Sequence, residues 1–145
     1  MANTQAIATS FKVDLLNAKH NFGTDAFKAS LYVTTAVMTD TATAYTTTDE
    51  VSSAGTNYPA AGVAVTFGTA PTSTGTTAYI TPSVNIVFTN VTIATPFDCM
   101  LLYNNTLVGK NAVAVFTFNP TTITAADFTL SMPVNGATTA LLQLV

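Results

Sequence analysis

The stretch Phe97-Asp98-Cys99-Met100-Leu101-Leu102-Tyr103, followed by Asn104-Asn105-Thr106-Leu107-Val108-Gly109-Lys110-Asn111 and Ala112-Val113-Ala114-Val115-Phe116-Thr117-Phe118, decides the fold. Its two flanking runs are apolar at nearly every position and rich in β-branched and aromatic side chains. The connection between them is polar and carries Asn and Gly. That pattern is a β-hairpin. Neither run alternates apolar with polar, so neither face is expected to be wet. The hairpin should sit at the centre of the domain, with cover supplied by the rest of the chain.

Working outward, the N-terminal residues 1–17 read as a helical segment whose helix spans 4–17. Ile7, Phe11 and Leu15 fall four apart, with Ala8 and Leu16 beside them, and Asn3 or Thr4 stands at the start as a cap. One apolar stripe on so short a helix implies docking, either on the chain's own sheet or on a neighbour. Residues 26–35 alternate as a strand, with Phe27, Ala29, Leu31 and Val33 on one side. Residues 36–61 are dominated by Thr, Ala and Gly, with Tyr45, Val51 and Tyr58 as anchors and a short helical turn expected near 46–51. A segment of that length is expected to cover the sandwich or to make contacts.

Further strands are expected at 63–67, 76–81, 84–88 and 91–94. Residues 68–74, with Pro71, read as a turn region, Gly75 precedes the second of these strands, Pro82 follows it, Asn90 marks a turn, and Pro96 precedes the hairpin. Asn119-Pro120 should stop the hairpin's second strand. Phe128, Leu130 and Met132 alternate as a separate strand. Asn135-Gly136 marks a turn before a closing strand at 139–145. About eight short strands at this spacing predict an all-β fold in one domain over 1–145. We expect an antiparallel two-sheet sandwich, jelly-roll-like, with the N-terminal helix against a face or edge. An immunoglobulin-like order is the alternative, but one Cys and no Trp leave its usual core unfilled.

Composition narrows the function classes. The chain has 145 residues, 48% hydrophobic and only 8% charged, with net charge −3. No window approaches the apolar length of a membrane span, and Met1-Ala2-Asn3-Thr4-Gln5 lacks a basic signal-peptide start, so a soluble chain with no membrane partner is expected. There is no Arg, and Lys12, Lys19, Lys28 and Lys110 are scattered, which argues against nucleic acid. Thr is about one residue in five. A surface built from Thr, Ser, Asn and Ala is a poor colloid alone and suits burial in an assembly.

Groups that carry chemistry are few. His20 is the sole imidazole, and Asp14 and Asp25 are near enough in sequence to make a base-and-orienter pair with it; a packing or surface His is the plainer reading. One Cys and one His cannot assemble a zinc site. Asp49-Glu50 is the sole acidic doublet, without the spaced acids of a calcium loop, and reads as a loop or helix-start charge pair. The glycines are too dispersed for a phosphate loop. Cys99, inside an apolar run, packs as a small hydrophobe. Asn90-Val91-Thr92 and Asn104-Asn105-Thr106 match the glycosylation acceptor pattern, read here as chance. Tyr32, Tyr45 and Tyr58, if exposed, could stack on sugars, though packing is the commoner role. No catalytic residue, cofactor or metal ligand is assigned, and no enzyme activity is expected.

The order of several segments resembles a family of small tailed-bacteriophage virion structural proteins. The resemblance is carried by Thr4-Gln5-Ala6, Thr9-Ser10-Phe11-Lys12, Leu15-Leu16, His20-Asn21-Phe22, Asp25-Ala26-Phe27-Lys28 and Leu31-Tyr32. It continues through Tyr45-Thr46-Thr47, Glu50-Val51, Leu101-Leu102-Tyr103-Asn104 and Ala112-Val113-Ala114-Val115. The chain departs from it at Tyr58-Pro59-Ala60-Ala61-Gly62, where family members often carry Gly-Tyr and paired Gly. It departs again at 86–88, where they often carry Trp. The resemblance implies a virion component assembled in the bacterial host cytoplasm: a capsid decoration or cement protein, partnered by itself as a homotrimer and by the major capsid protein. A tail fibre-base or adaptor subunit and a carbohydrate-binding host-attachment module are the alternatives. Ile7, Phe11 and Leu15, with Tyr45 and Tyr58, are the candidate contact residues.

Overall fold

A computed structural model describes residues 3–145. Met1 and Ala2, the first two residues of the segment assigned above to the N-terminal helix, lie outside the described residues. The chain is all-β with one short helix. In order it runs β1 (Ala6–Ile7), α1 (Thr9–Leu16), β2 (Phe27–Val33), β3 (Val63–Val65), β4 (Thr72–Thr74), β5 (Thr77–Ile80), β6 (Ile86–Asn104), β7 (Ala112–Leu130) and β8 (Leu142–Leu144). These form two antiparallel sheets of a sandwich, five strands in the order β1-β7-β6-β2-β3 and three in the order β4-β5-β8.

The hairpin is central, as its composition requires. β6 and β7 pair from Tyr103↔Ala112 to Ile86↔Leu130, and β2 flanks β6 from Phe27↔Asn104 to Val33↔Phe97. Residues 97–104 and 112–115 are buried without exception. Both strands run farther than their prolines suggest. β7 continues through Asn119-Pro120, because Pro120 falls where three residues of β7 oppose one of β6, between Cys99↔Thr117 and Phe97↔Thr121. A bulge on a free edge needs no N–H from proline. Asn90 likewise marks a bulge within β6, not a turn, with φ at +49° and its N–H donating to Asp127 Oδ1 at 2.7 Å. From Ile86 on, the strands expected at 84–88 and 91–94 are thus parts of β6, and Phe128 and Leu130 belong to β7, which ends before Met132.

The helix is shorter than its apolar spacing suggests. Residues 6–7 pair with Ala114 and Val115 at the edge of β7, and the Ala8 N–H donates to the Val113 carbonyl. An open strand edge outcompetes a marginal first helical turn. Within α1, Phe11 and Asp14 face inward while Val13 and Leu16 are exposed.

Segment 36–61 covers the sheet, but without the helical turn expected at 46–51. The Val51 N–H donates to the Leu31 carbonyl, and the Val33 N–H to the Asp49 carbonyl. This closes the half of β2 that β3 leaves open. Gly62 brings the chain over β2 at φ +75°, close enough that a Cβ there would overlap the Ala29 carbonyl. The stretch 68–74, expected as a turn, contributes the short strand β4.

Candidate functional site

The chemistry-bearing side chains gather into two clusters and one cleft. The first cluster lies at the turn end of the hairpin, where α1 and the loop after it pack on Asn104 and Asn111. Asn104 ends β6 and is fully buried. Its Oδ1 accepts from the Thr106 and Leu107 N–H groups at 2.9 and 3.4 Å, which fixes the amide orientation. Its Nδ2 therefore donates to Asp25 Oδ2 at 2.6 Å and to His20 Nδ1 at 3.2 Å. A ring nitrogen that accepts carries no proton, so the imidazole proton sits on Nε2. Asp14 Oδ2 stands 3.6 Å from Nε2, beyond hydrogen-bond reach, and the His20 side chain has no exposed surface. Asp14 instead takes Lys19 Nζ at 2.9 Å on Oδ1 and Asn111 Nδ2 at 2.5 Å on Oδ2.

The electrostatics follow from this arrangement. The Lys19 hydrogen bond holds the Asp14 carboxyl below its usual range against the opposing effect of burial, with Asn111 adding to the lowering. Burial pushes the His20 pKa below its ordinary value, and the Asp14 charge only partly offsets it. The base-and-orienter geometry is therefore incomplete. His20, Asp14 and Asp25 do come together, but His20 is enclosed, edge-on to Phe11 at 4.9 Å between ring centroids, and reaches no solvent.

The second cluster surrounds Glu50. Its Oε1 accepts from the Tyr58 hydroxyl and the Ala61 N–H, each at 2.9 Å, and its Oε2 from the Tyr45 hydroxyl at 2.7 Å. Tyr58 in turn accepts from the Leu31 N–H at 2.9 Å, and Tyr103 donates to the Ala61 carbonyl at 2.7 Å. Tyr32 donates to the Thr46 carbonyl at 2.7 Å. Burial pushes the Tyr32 hydroxyl up to about 12, and those of Tyr45, Tyr58 and Tyr103 higher still, with the Glu50 charge adding to each. Glu50 is thus the acceptor that gathers Tyr45, Tyr58 and Ala61 within segment 45–61, while Tyr58, Tyr103 and Tyr32 carry the bonds to β2 and β6; the reading of Asp49-Glu50 as a loop charge pair missed that role. Cys99 is buried and its thiol is pushed up to about 12, by burial first and by Asp98 second.

The cleft, about 420 Å³, opens between α1 and the three-stranded sheet; Ile7, Phe11, Leu15, Phe22, Ile80 and Leu142 contribute to its lining. It joins three of the expected contact residues. Ile7 and Leu15 keep part of their surface, whereas Phe11 is 3% exposed and is spent on the chain's own core. Tyr45 and Tyr58 lie elsewhere, in the Glu50 cluster. Tyr45 is half-buried, stacked on Tyr103 at 4.9 Å with Lys110 Nζ 5.1 Å from its ring. Tyr58, 2% exposed, stacks on Phe88 at 5.6 Å and offers almost nothing to a partner. Tyr32 is also interior, so neither Tyr32 nor Tyr58 can stack on a sugar.

Two further positions have roles other than those read from the sequence: the helix starts at Thr9 behind Ala8, so neither Asn3 nor Thr4 caps it. Asn3 Nδ2 donates to Asp98 Oδ1 at 2.6 Å and to the Val33 carbonyl at 3.2 Å, tying the incoming chain to the middle of the large sheet. Asn104 stood in a glycosylation pattern, but it is an Asx-type turn cap closing the end of β6; the signal was Asn followed two residues later by Thr at the end of an apolar run. Among the described residues, no group of three His, Cys, Asp or Glu side chains is placed to hold a metal ion, and no helix is long and apolar enough to cross a membrane. Comparison with protein-family models, with curated proteins and with solved structures finds no match.

Proposed function

We propose that this chain is a non-enzymatic structural protein of a tailed-phage virion, a decoration or cement subunit. It assembles with copies of itself, as a trimer, on the major capsid protein of the head shell. The observation that carries the reading is the distribution of charge. No charged residue stands between Glu50 and Asp98, although residues 68–76 are exposed throughout. Solvent-facing surface without charge is suited to being covered by another protein. The side chains capable of chemistry support the same reading, because His20, Glu50 and Cys99 are each committed to the scaffold. The order of segments that resembles small virion proteins supplies the setting.

Sedimentation of the purified chain with expanded empty capsids of the phage tests the proposal. Stoichiometric co-sedimentation is expected. A chain that stays in the supernatant with capsids, yet binds purified tails, overturns the head assignment in favour of a tail adaptor.

A further inference from the structure

We infer that the three-stranded sheet is an assembly device: β4 of one copy pairs with the free edge of β8 in the next, closing copies into a ring. The inference deepens the self-assembly in the proposed function and rests on it. In the order β4-β5-β8, both outer strands lack a hydrogen-bonded neighbour among the described residues. The strands are only three or four residues long, and β4 is exposed at all three positions. A three-stranded sheet this small is marginal without further strands or cover.

Open edges are normally blunted, and this chain shows the contrast. The outer edge of β7 beyond Val115 carries Pro120, register shifts, Ala125 at φ +45° and Asp127. Each of these discourages a strand from adding. The β3 edge is three residues long, and its Ala64 lies opposite Lys28. The edges of β4 and β8 are as short as that of β3, and Pro71 precedes β4, but neither edge carries a charged side chain or a bulge. Thr72-Ser73-Thr74 lies in the uncharged stretch between Glu50 and Asp98, and no charged side chain follows Asp127. An open groove of about 300 Å³ lies between β8 and β1, bordered by Gln143, Leu141, Ala6 and Ile7, and leaves room beside β8.

The two edges are different surfaces on opposite sides of one sheet, so their contact is heterologous and generates a ring when the rotation closes. β4 and β8 each run antiparallel to β5 and so point the same way. Rotation about an axis along the strands brings the next copy's β4 beside β8 in parallel. Main-chain hydrogen bonds supply the attraction, as in other strand additions.

Analytical ultracentrifugation of the full chain tests this, using Ser73→Lys, Gln143→Lys and the double variant Ser73→Lys/Gln143→Glu. Ser73 is exposed and Gln143 half-buried at the sheet edge, and unchanged thermal melts would show that the variants fold. We expect a closed oligomer for the parent chain, monomers for both lysine variants, and recovery of the oligomer in the double variant. A monomeric parent, or an oligomer indifferent to both lysines, overturns the inference. Capsid binding is read separately. A parent that decorates capsids while both lysine variants keep its mass preserves the function and removes this surface. A ring broken by lysine that ignores capsids does the reverse.

Discussion

Asn104 and His20, 84 positions apart in sequence, meet through a 3.2 Å contact between the Asn104 amide and His20 Nδ1. The contact joins the end of the central hairpin to the loop that follows α1. It also sets the histidine tautomer, because the same amide is oriented by the Thr106 and Leu107 N–H groups. One buried side chain thereby holds three segments: β6, the hairpin turn and the loop before β2.

Replacing Asn104 tests that bridge. Asn104→Ala strands two backbone N–H groups, the Asp25 carboxylate and the His20 acceptor, and should cost about 2–4 kcal/mol of unfolding free energy. Asn104→Asp should cost more, since a carboxylate would face Asp25 Oδ2, which lies 2.6 Å from the present Nδ2. Urea unfolding of the three proteins gives the ranking. If Asn104→Asp proves as stable as the parent, the hydrogen-bond assignment is wrong.

The same cluster gives stability a pH dependence. His20 has a folded pKa below its unfolded value of 6.5, so the unfolded chain takes up the proton first as pH falls. Stability is complete above about pH 6.5 and declines from there down to the folded pKa. Asp14 has its folded pKa below 3.8, so its contribution is present above 3.8 and is lost as pH falls through the folded value. Melting temperatures from pH 8 to 5 should therefore fall for the parent and fall less for His20→Gln. Parallel curves would show that burial of His20 does not penalise its charge.

The sequence made the hairpin legible because residues 97–103 and 112–118 have no polar face to leave in water. Its length was not legible. Pro96, Asn90 and Pro120 are stop signals in local chemistry, and only the pairing of β6 with β7 turns them into bulges. α1 shows the same limit: Ile7 has helical spacing to Phe11, yet the Val113–Val115 edge of β7 draws it into a strand. The expected contact residues divided for a related reason. Phe11 and Tyr58 have the chemistry of a contact surface, but the fold had already placed each against an aromatic partner.

Glu50 offers a test of what holds the long covering segment. Glu50→Ala leaves the Tyr45 and Tyr58 hydroxyls and the Ala61 N–H without their acceptor, at a cost of about 2–3 kcal/mol. Glu50→Gln keeps one acceptor oxygen and should lose less. Because these hydrogen bonds cross-link Tyr45, Tyr58 and Ala61 and hold the Tyr58 hydroxyl where it meets the Leu31 N–H, proteolytic cleavage should appear first within 46–57 in Glu50→Ala, before global unfolding. Cleavage that begins instead in the exposed 68–76 hairpin would show that Glu50 does not anchor the segment.

Gly62 separates backbone conformation from space. Gly55, Gly62 and Gly75 all have positive φ, at +71°, +75° and +60°. An added Cβ at Gly55 or Gly75 meets nothing within 4 Å, whereas at Gly62 it overlaps the Ala29 carbonyl and lies 2.8 Å from Ser30 Cα. Alanine at Gly55 or Gly75 should therefore cost about 1 kcal/mol, the strain of a left-handed alanine. At Gly62 the clash is with strand backbone that cannot turn aside, so β2 and the 58–62 turn must separate. The expected loss exceeds about 3 kcal/mol, in the range where overpacking combines with backbone strain. Differential scanning calorimetry of the three alanine variants reads this directly. Equal losses at all three positions would mean that the chain over β2 yields easily, and that Tyr58 and Glu50 do not hold it against the sheet.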